Sequence, residues 1–505
     1  MFVLRLYSHF FKVTNLRPRG VQLIYQFCLK YTSKVWVNER GRWITKLDKV
    51  YATRTKDGLE YRFNINSLND FKEFMQTNYV TEKMYVTESI ALPPLHRVDI
   101  PEQPHRQLRE YQIPIVEHTL DISETRTKLV DTQTGKGKGT ISLTTISRMG
   151  LITVVIIKPA YIEKWFLEIQ EVLQVKPKEI MTVQGGDQLR GLIDMADHGL
   201  LKSKFILISN RTYANYLKAY ETNQHSQEFL SYGCHPDDFY NKLKAGILLI
   251  DEVHQDFNLN FKVLLYAKVQ LAICISATSL HHNHFMEKMY EIAFPKTKRY
   301  KGLELDRYLK VFPVNYHFKN LKYVRTTEYG KTTYSHMAFE KSIMANKVMM
   351  NNYVTMIKFW VDYGFIKDYK PKDKLLIFAS SIAMCTELTR RFKAMYPRFD
   401  VRRYVEDDPY QNIIEGEITF TTILSGGTAI DVPNLRAAIL TINVDSIQSN
   451  IQSSGRLRKL ADRDVKFFYL YCDQIQKHKD YHHRRSEMLK ERVASIKELP
   501  YNHPI

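Results

Sequence analysis

Cysteine is scarce. Five residues, Cys28, Cys234, Cys274, Cys385 and Cys472, are spread singly over 505 positions with no C-x-x-C pair, so neither a disulfide framework nor a thiolate zinc site is expected. Long apolar runs are missing as well. The strongest, Leu151 to Ile157, is cut off by Lys158 and Pro159, well short of the ~18 residues that span a bilayer. With 20 Gly and 17 Pro in the whole chain, fibrous and low-complexity classes are excluded. Acidic residues are absent before Glu39, while Arg5, Lys12, Arg17 and Arg19 fall in that stretch. This looks superficially like a mitochondrial presequence. The segment is poor in serine, however, and Met1 to Tyr7 alternates like a strand, so a folded basic module is the expectation.

What the chain has in excess is positive charge. Against 54 Asp and Glu stand 73 Lys and Arg, a net +19, which points to an acidic polymer, nucleic acid rather than a membrane surface, as partner. At 505 residues several domains are expected. Residues 1–95 read as a small α/β accessory domain: short strands (Phe2 to Leu6, Val35 to Val37, Tyr61 to Ile65) mix with helices near Gly20 to Tyr31 and Leu68 to Gln76. Asn66 and Ser67 are the capping candidates for the second helix. A linker follows at Pro93, Pro94, Pro101 and Pro104.

From 96 to 300, apolar runs (Ile152 to Ile157, Phe205 to Ser209, Gly246 to Ile250, Leu271 to Ser276) alternate with amphipathic stretches, the pattern of a parallel sheet covered by helices. A second series occupies 301–475: Lys374 to Ala379, Val401 to Tyr404, Ile418 to Leu424, Ala437 to Ile442 and Phe467 to Leu470. The tail, 476–505, is expected to hold a charged helix (His483 to Glu498), with the basic run His482 to Arg485 read as a solvated face.

The most specific local signal is Thr134-Gly135-Lys136-Gly137-Lys138-Gly139-Thr140 before a helix. Glycines let backbone N–H groups turn in around phosphate oxygens, and Lys138 neutralises their charge. A glycine- and lysine-rich surface turn is the bland alternative. Gly139 stands where a Ser or Thr is usual, and Thr140, one residue late, is the nearest hydroxyl. Downstream, Leu248-Leu249-Ile250 runs into Asp251-Glu252-Val253-His254. This places two carboxylates at the carboxyl end of a buried strand, Asp251 suited to Mg²⁺ and Glu252 to activating water.

Taken together these residues resemble the superfamily 2 helicases, of the DExH type, over roughly residues 105 to 475. Leu108 to Gln112 is similar to the element whose glutamine, Gln112, reads adenine. Thr134 to Thr140 is similar to motif I, Asp251 to His254 to motif II, and Lys158-Pro159 with Trp165 and Glu168 to motif Ia. Ser276-Ala277-Thr278 matches motif III, and Ile377 to Ser380 resembles motif IV. Ser425 to Pro433, with Gly427, Ala429 and Asp431, resembles motif V, and Gln452 to Lys459 motif VI. Within that family the layout is similar to the UvsW-like branch-migration helicases of phages.

The resemblance implies two tandem RecA-like parallel-sheet domains, a small N-terminal α/β domain and a short helical tail. It implies ATP and Mg²⁺ as cofactors, bound by Gln112, Thr134, Gly135, Gly137, Lys138, Gly139, Thr140 and Asp431, with the metal on Asp251 or Thr140. Catalysis would use Lys138, Asp251, Glu252, Gln452, Arg456 and Arg458. Motif VI is one residue short, so family spacing favours Lys459 where side-chain chemistry favours Arg458. Nucleic acid would meet Lys158, Pro159, Asn210, Arg211, Thr212, Ser380, Ser425 and Gly427, while His254, Ser276 and Thr278 would couple the two sites. His254 reads equally well as an ordinary core histidine.

The implied function is an ATP-dependent helicase or translocase remodelling branched DNA in recombination, repair or replication, as a monomeric motor in the cytoplasm, a host's if viral. Mitochondria are the lesser alternative. Rival readings are an RNA or RNA–DNA helicase and a non-hydrolysing basic clamp. A nucleotide kinase shares the G-K-G-T loop but leaves the second sheet unexplained.

Overall fold

The computed structural model describes residues 2–39, 42–132, 136–276, 284–300, 307–330, 332–426, 432–444, 457–460, 462–490 and 493–505. The chain forms two compact units that divide at residues 303 and 304. The first begins with β1 (Val3–Leu6), β2 (Phe10–Thr14), α1 (Pro18–Leu29), β3 (Thr32–Glu39), β4 (Arg42–Val50), β5 (Thr53–Arg54), β6 (Tyr61–Asn64), α2 (Leu68–Thr77) and β7 (Val86–Ser89). Five of these strands make a sheet in the order β5-β6-β2-β1-β7, and among the described residues β3 and β4 pair only with each other. Pro18 opens α1, where its fixed φ suits the first turn and its missing N–H costs nothing. The buried face of α1 sets Phe27 against Phe63 and Phe71, with ring centroids 5.0 and 5.2 Å apart. The capping residue ahead of α2 is Asn64 rather than Asn66 or Ser67. Its Oδ1 accepts from the Asn66 N–H at 3.0 Å, because a short 3₁₀ turn precedes the helix.

The same unit continues through α3 (Ile113–Leu120), β8 (Thr127–Val130), α4 (Lys138–Met149), β9 (Thr153–Ile157), α5 (Ile162–Val172), β10 (Ile180–Val183), α6 (Gly186–Asp197), β11 (Phe205–Ser209), α7 (Asn210–Thr222), β12 (Ile247–Ile250) and β13 (Leu271–Ile275). The six strands lie in the order β10-β11-β9-β12-β13-β8, all parallel. Strands β9, β11, β12 and β13 are buried along their whole length, which is why they read as uninterrupted apolar runs. In this RecA-like order β13 separates the strand before the glycine-rich loop, β8, from the acid-bearing β12.

The N-terminal sheet is not a bead on a string. A buried ionic cluster ties it to the parallel-sheet layer: Arg62 on β6, fully buried, meets Asp237 and Glu60 at 2.6 Å each, and Lys12 on β2 meets the same carboxylates at 2.9 and 2.6 Å. Beside it, buried His9 places its ring nitrogens 2.9 Å from Thr127 Oγ1 and 3.1 Å from the Val269 carbonyl. Apolar side chains from Phe2 to Phe294 form one continuous core across both layers.

The second unit holds another parallel sheet: β14 (Leu309–Tyr316), β15 (Lys374–Ala379), β16 (Val401–Tyr404), β17 (Ile418–Thr422), β18 (Leu435–Leu440), β19 (Val465–Cys472) and the short β20 (Ser495–Ile496). Their order is β16-β17-β15-β18-β19-β14-β20, and β21 (Leu499–Pro500) also pairs with β14. The expected α/β class with two tandem RecA-like sheets is therefore the observed one. The tail differs in detail. Its helix spans Gln476–Lys490, not residues 483 to 498, and the last residues add two short strands beside β14, which would otherwise leave its backbone groups unpaired at the sheet edge. Nor is the basic run 482–485 wholly solvated. Arg485 is buried, its guanidinium 4.6 Å from the Tyr469 ring centroid, and burial lowers it to about 10.

Candidate functional site

The first unit assembles its polar groups at the carboxyl ends of β8, β12 and β13. Gly137 sits at φ +73°, a left-handed conformation that glycine adopts without strain, and α4 starts at the next residue. Lys138 is thereby fixed in the first turn, its Nζ donating to the Thr132 carbonyl at 3.0 Å. Helix α4 buries Ile141 to Ile146, so the loop is anchored on a central helix whose N-terminus carries partial positive charge. Gln112, also buried, donates from Nε2 to the Lys136 carbonyl at 2.9 Å and accepts from the Arg109 N–H at 2.9 Å. The adenine-reading candidate is thus hydrogen-bonded to the phosphate-loop candidate. Thr140 lies in the first turn of α4, partly buried.

Strand β12 ends at Ile250, and Asp251 and Glu252 follow at once. Asp251 is held from two sides: Trp165 Nε1 of α5 donates to Oδ2 at 2.7 Å and the Glu252 N–H to Oδ1 at 2.9 Å. Each oxygen keeps a second lone pair, so the carboxylate fits a hard, oxygen-seeking cation such as Mg²⁺. Glu252 has φ +48°, in the left-handed region that costs a non-glycine residue strain. This turn brings its Oε2 within 3.2 Å of His254 Nδ1, which is also 2.9 Å from Ser276 Oγ. His254 and Ser276 are buried. Glu252 and Ser276 therefore meet at one ring nitrogen, His254 Nδ1, between the end of β12 and the end of β13.

The nucleic-acid candidates divide by exposure. Lys158 is partly exposed, paired to Asp256 at 3.3 Å, and Pro159 opens the turn leading into α5. Of the three residues opening α7, Arg211 is exposed, while Asn210 and Thr212 are buried and Thr212 Oγ1 accepts from the Gly185 N–H at 2.7 Å. In the second unit the N–H groups of Ser380 and Ser381 donate to the buried Glu340 at 2.6 and 2.9 Å. Burial raises Glu340 to about 7, against the pull of those donors. Ser425 accepts from the Glu406 N–H at 3.1 Å. Arg458 is half-buried and Lys459 exposed. Thr134, Gly135, Thr278, Gly427, Asp431, Gln452 and Arg456 lie outside the described residues.

Two features escape sequence reasoning. Glu168, noted only as part of motif Ia, stands beside Gly139. The second is the β3–β4 hairpin, which exposes Trp36 by 71 % and Trp43 by 66 %. By register Trp36 lies opposite Thr45 and Lys34 opposite Leu47, so Trp36, Trp43, Leu47 and Lys34 share one face. A signal was available: two of the chain's four tryptophans fall within eight residues of a lysine-rich alternating stretch.

No family model matches the chain, and no curated protein matches it. Among solved structures it is similar to S. cerevisiae Dbp5 bound to RNA and ADP BeF3, with TM-score 0.48, 10% identity, and coverage of 78% of this chain and 90% of that one. It is also similar to a Dbp5 variant bound to Gle1 and IP6, with TM-score 0.47, 11% identity, and coverage of 78% and 89%.

Proposed function

We propose that this chain is a nucleic-acid-stimulated, Mg²⁺-dependent ATPase of the superfamily 2 helicase and translocase type. The observation that carries the reading is the convergence of Lys138, Asp251 and the cluster of Glu252, His254 and Ser276 at the strand ends of one parallel sheet, where such sheets bind ligands. Lys138 and the N-terminus of α4 bind the phosphates. Asp251, oriented by Trp165, would hold Mg²⁺, which when bound would supply positive charge beside the phosphates. Glu252 takes the proton of the attacking water, and His254 Nδ1, which Glu252 shares with Ser276, fixes its place. The family resemblance also implies a cationic role in turnover for Arg458 of motif VI.

The nucleic acid is gripped mainly through phosphate, by Lys158 and Arg211 in the first unit, and the N-terminal hairpin adds stacking. Trp36 and Trp43 offer faces for unpaired bases while Lys34 meets the backbone. A second gripping surface beside a motor raises affinity for branched substrates through effective concentration, which favours branched DNA, as in UvsW-like enzymes, over linear strands. Phosphate contacts are common to DNA and RNA, so RNA is the competing substrate.

ATPase rates with single-stranded DNA, duplex, fork, four-way junction and RNA as separate stimulants test the proposal. Stimulation by at least one is expected, abolished in Lys138→Ala, while Glu252→Gln keeps ATP binding and loses hydrolysis. Wild-type protein without ATPase activity on any of the five would leave the basic clamp.

A further inference from the structure

Residue 139, in the first turn of α4, has no side chain where the family resemblance calls for a hydroxyl on the nucleotide's cation. The neighbourhood explains the glycine. A Cβ built there would run into the Glu168 carboxylate, Oε1 foremost, with Cδ 2.6 Å and Oε2 3.2 Å away. We propose that Glu168 supplies the oxygen that position 139 lacks, so that the cation of bound Mg·ATP is held between Glu168 on α5 and Asp251 at the end of β12. The assignment rests on the ATPase reading above.

Three observations support it. First, the space is matched: the volume a Ser or Thr side chain would fill at 139 is filled by a carboxylate oxygen, the ligand type a hard divalent cation prefers. Second, α5 carries both halves of the arrangement. Trp165 and Glu168 are three residues apart, hence on one helical face, and Trp165 is the residue that donates to Asp251 at 2.7 Å. One helix thus positions Asp251 and delivers Glu168. Third, Glu168 is only loosely engaged, its ion pair to Lys164 stretching to 3.9 Å. Thr140 cannot take the same place. Successive helical residues point about 100° apart, and the Thr140 Cβ lies on the Gly137 side of the turn, 3.7 Å from a Cβ built on Gly137.

The experiment is a swap, read by equilibrium binding of a fluorescent ATP analogue with excess Mg²⁺ and with EDTA, and by the electron paramagnetic resonance of Mn²⁺ added with ATP. Wild type should bind the analogue more tightly with Mg²⁺. Glu168→Gln, which keeps volume, should lose that Mg²⁺ advantage by roughly ten- to hundredfold, the scale on which residues around a metal change its affinity. Its binding in EDTA should be unchanged, and the Mn²⁺ signal should change. Gly139→Ser alone should weaken binding through the clash, and Gly139→Ser with Glu168→Ala should regain the Mg²⁺ advantage by restoring the hydroxyl. Glu168→Gln that keeps the full Mg²⁺ advantage overturns the proposal. So does one that tightens binding equally in Mg²⁺ and EDTA, which would make Glu168 a plug that phosphates displace. Folded wild-type protein that binds no ATP analogue in either condition sinks the ATPase reading itself, a result distinct from the other two.

Discussion

Replacing Arg62 by Met should cost about 3–5 kcal/mol of local stability, the range for removing one partner from a buried ion pair. The structure sets the magnitude. The Arg62 side chain has no exposure, and those of Lys12, Asp237 and Glu60 are 6 %, 15 % and 16 % exposed, so water screens little. The cluster is balanced, two cations against two carboxylates, with the Tyr266 ring centroid 4.1 Å from the guanidinium. Burial alone would push Asp237 and Glu60 up, but Arg62 and Lys12 outweigh it and hold both below the usual carboxylate range. In the wild type their contribution is therefore present above pH of about 4, the unfolded value, and is lost as pH falls through the lower folded values. Without Arg62, Lys12 faces two carboxylates, one of which should take up a proton more readily than in the unfolded chain. The penalty is then largest at neutral pH and shrinks toward pH 5. Hydrogen exchange on the full chain reads it directly, with protection in β2 and β6 falling roughly two to three and a half orders of magnitude at pH 7, at about 1.4 kcal/mol per decade. A loss below tenfold would mean the cluster behaves like an exposed surface pair, and the reasoning would be refuted. For the same reason deletion of the N-terminal sheet is a poor probe of its role, since it strips the shared core, and point changes on the hairpin are cleaner.

Three further outcomes are expected. Burial lowers His9 to about 4 against the pull of the Val269 carbonyl. Its neutral form thus adds stability that is full above pH of about 6.5 and falls by about 3 kcal/mol as pH drops to 4; His9→Gln should flatten that part of a melting-temperature profile, and an unchanged profile would count against it. Trp36→Ala and Trp43→Ala should each weaken single-strand binding by about 1–3 kcal/mol at fixed salt without affecting folding, and anisotropy titrations showing wild-type affinity would remove the hairpin from the interface. Arg458→Ala should lose ATP turnover while Lys459→Ala keeps most of it, since a guanidinium bridges phosphate oxygens and an ammonium does not; the reverse ranking would show that spacing sets the role.

Much of this protein is legible without coordinates because the signals are local. A strand buried on both faces must be apolar throughout, so Thr153–Ile157, Phe205–Ser209 and Ile247–Ile250 announce a parallel sheet from composition alone. The turn at Gly137 and the acids after Ile250 are likewise short-range consequences of backbone geometry. The edge pairing of β20 and β21 is not: two-residue strands have no periodicity to read, and a charged stretch scored as helix gave way to backbone groups on β14 in need of partners. Buried charge is equally silent in sequence, because Arg62 and Arg485 look like surface residues until distant chain segments supply a carboxylate pair or an aromatic ring. The same holds at position 139. As sequence, Gly139 reads as a missing hydroxyl; only tertiary packing, which brings Glu168 from 29 residues away to where a Cβ at 139 would stand, turns the gap into a place already filled.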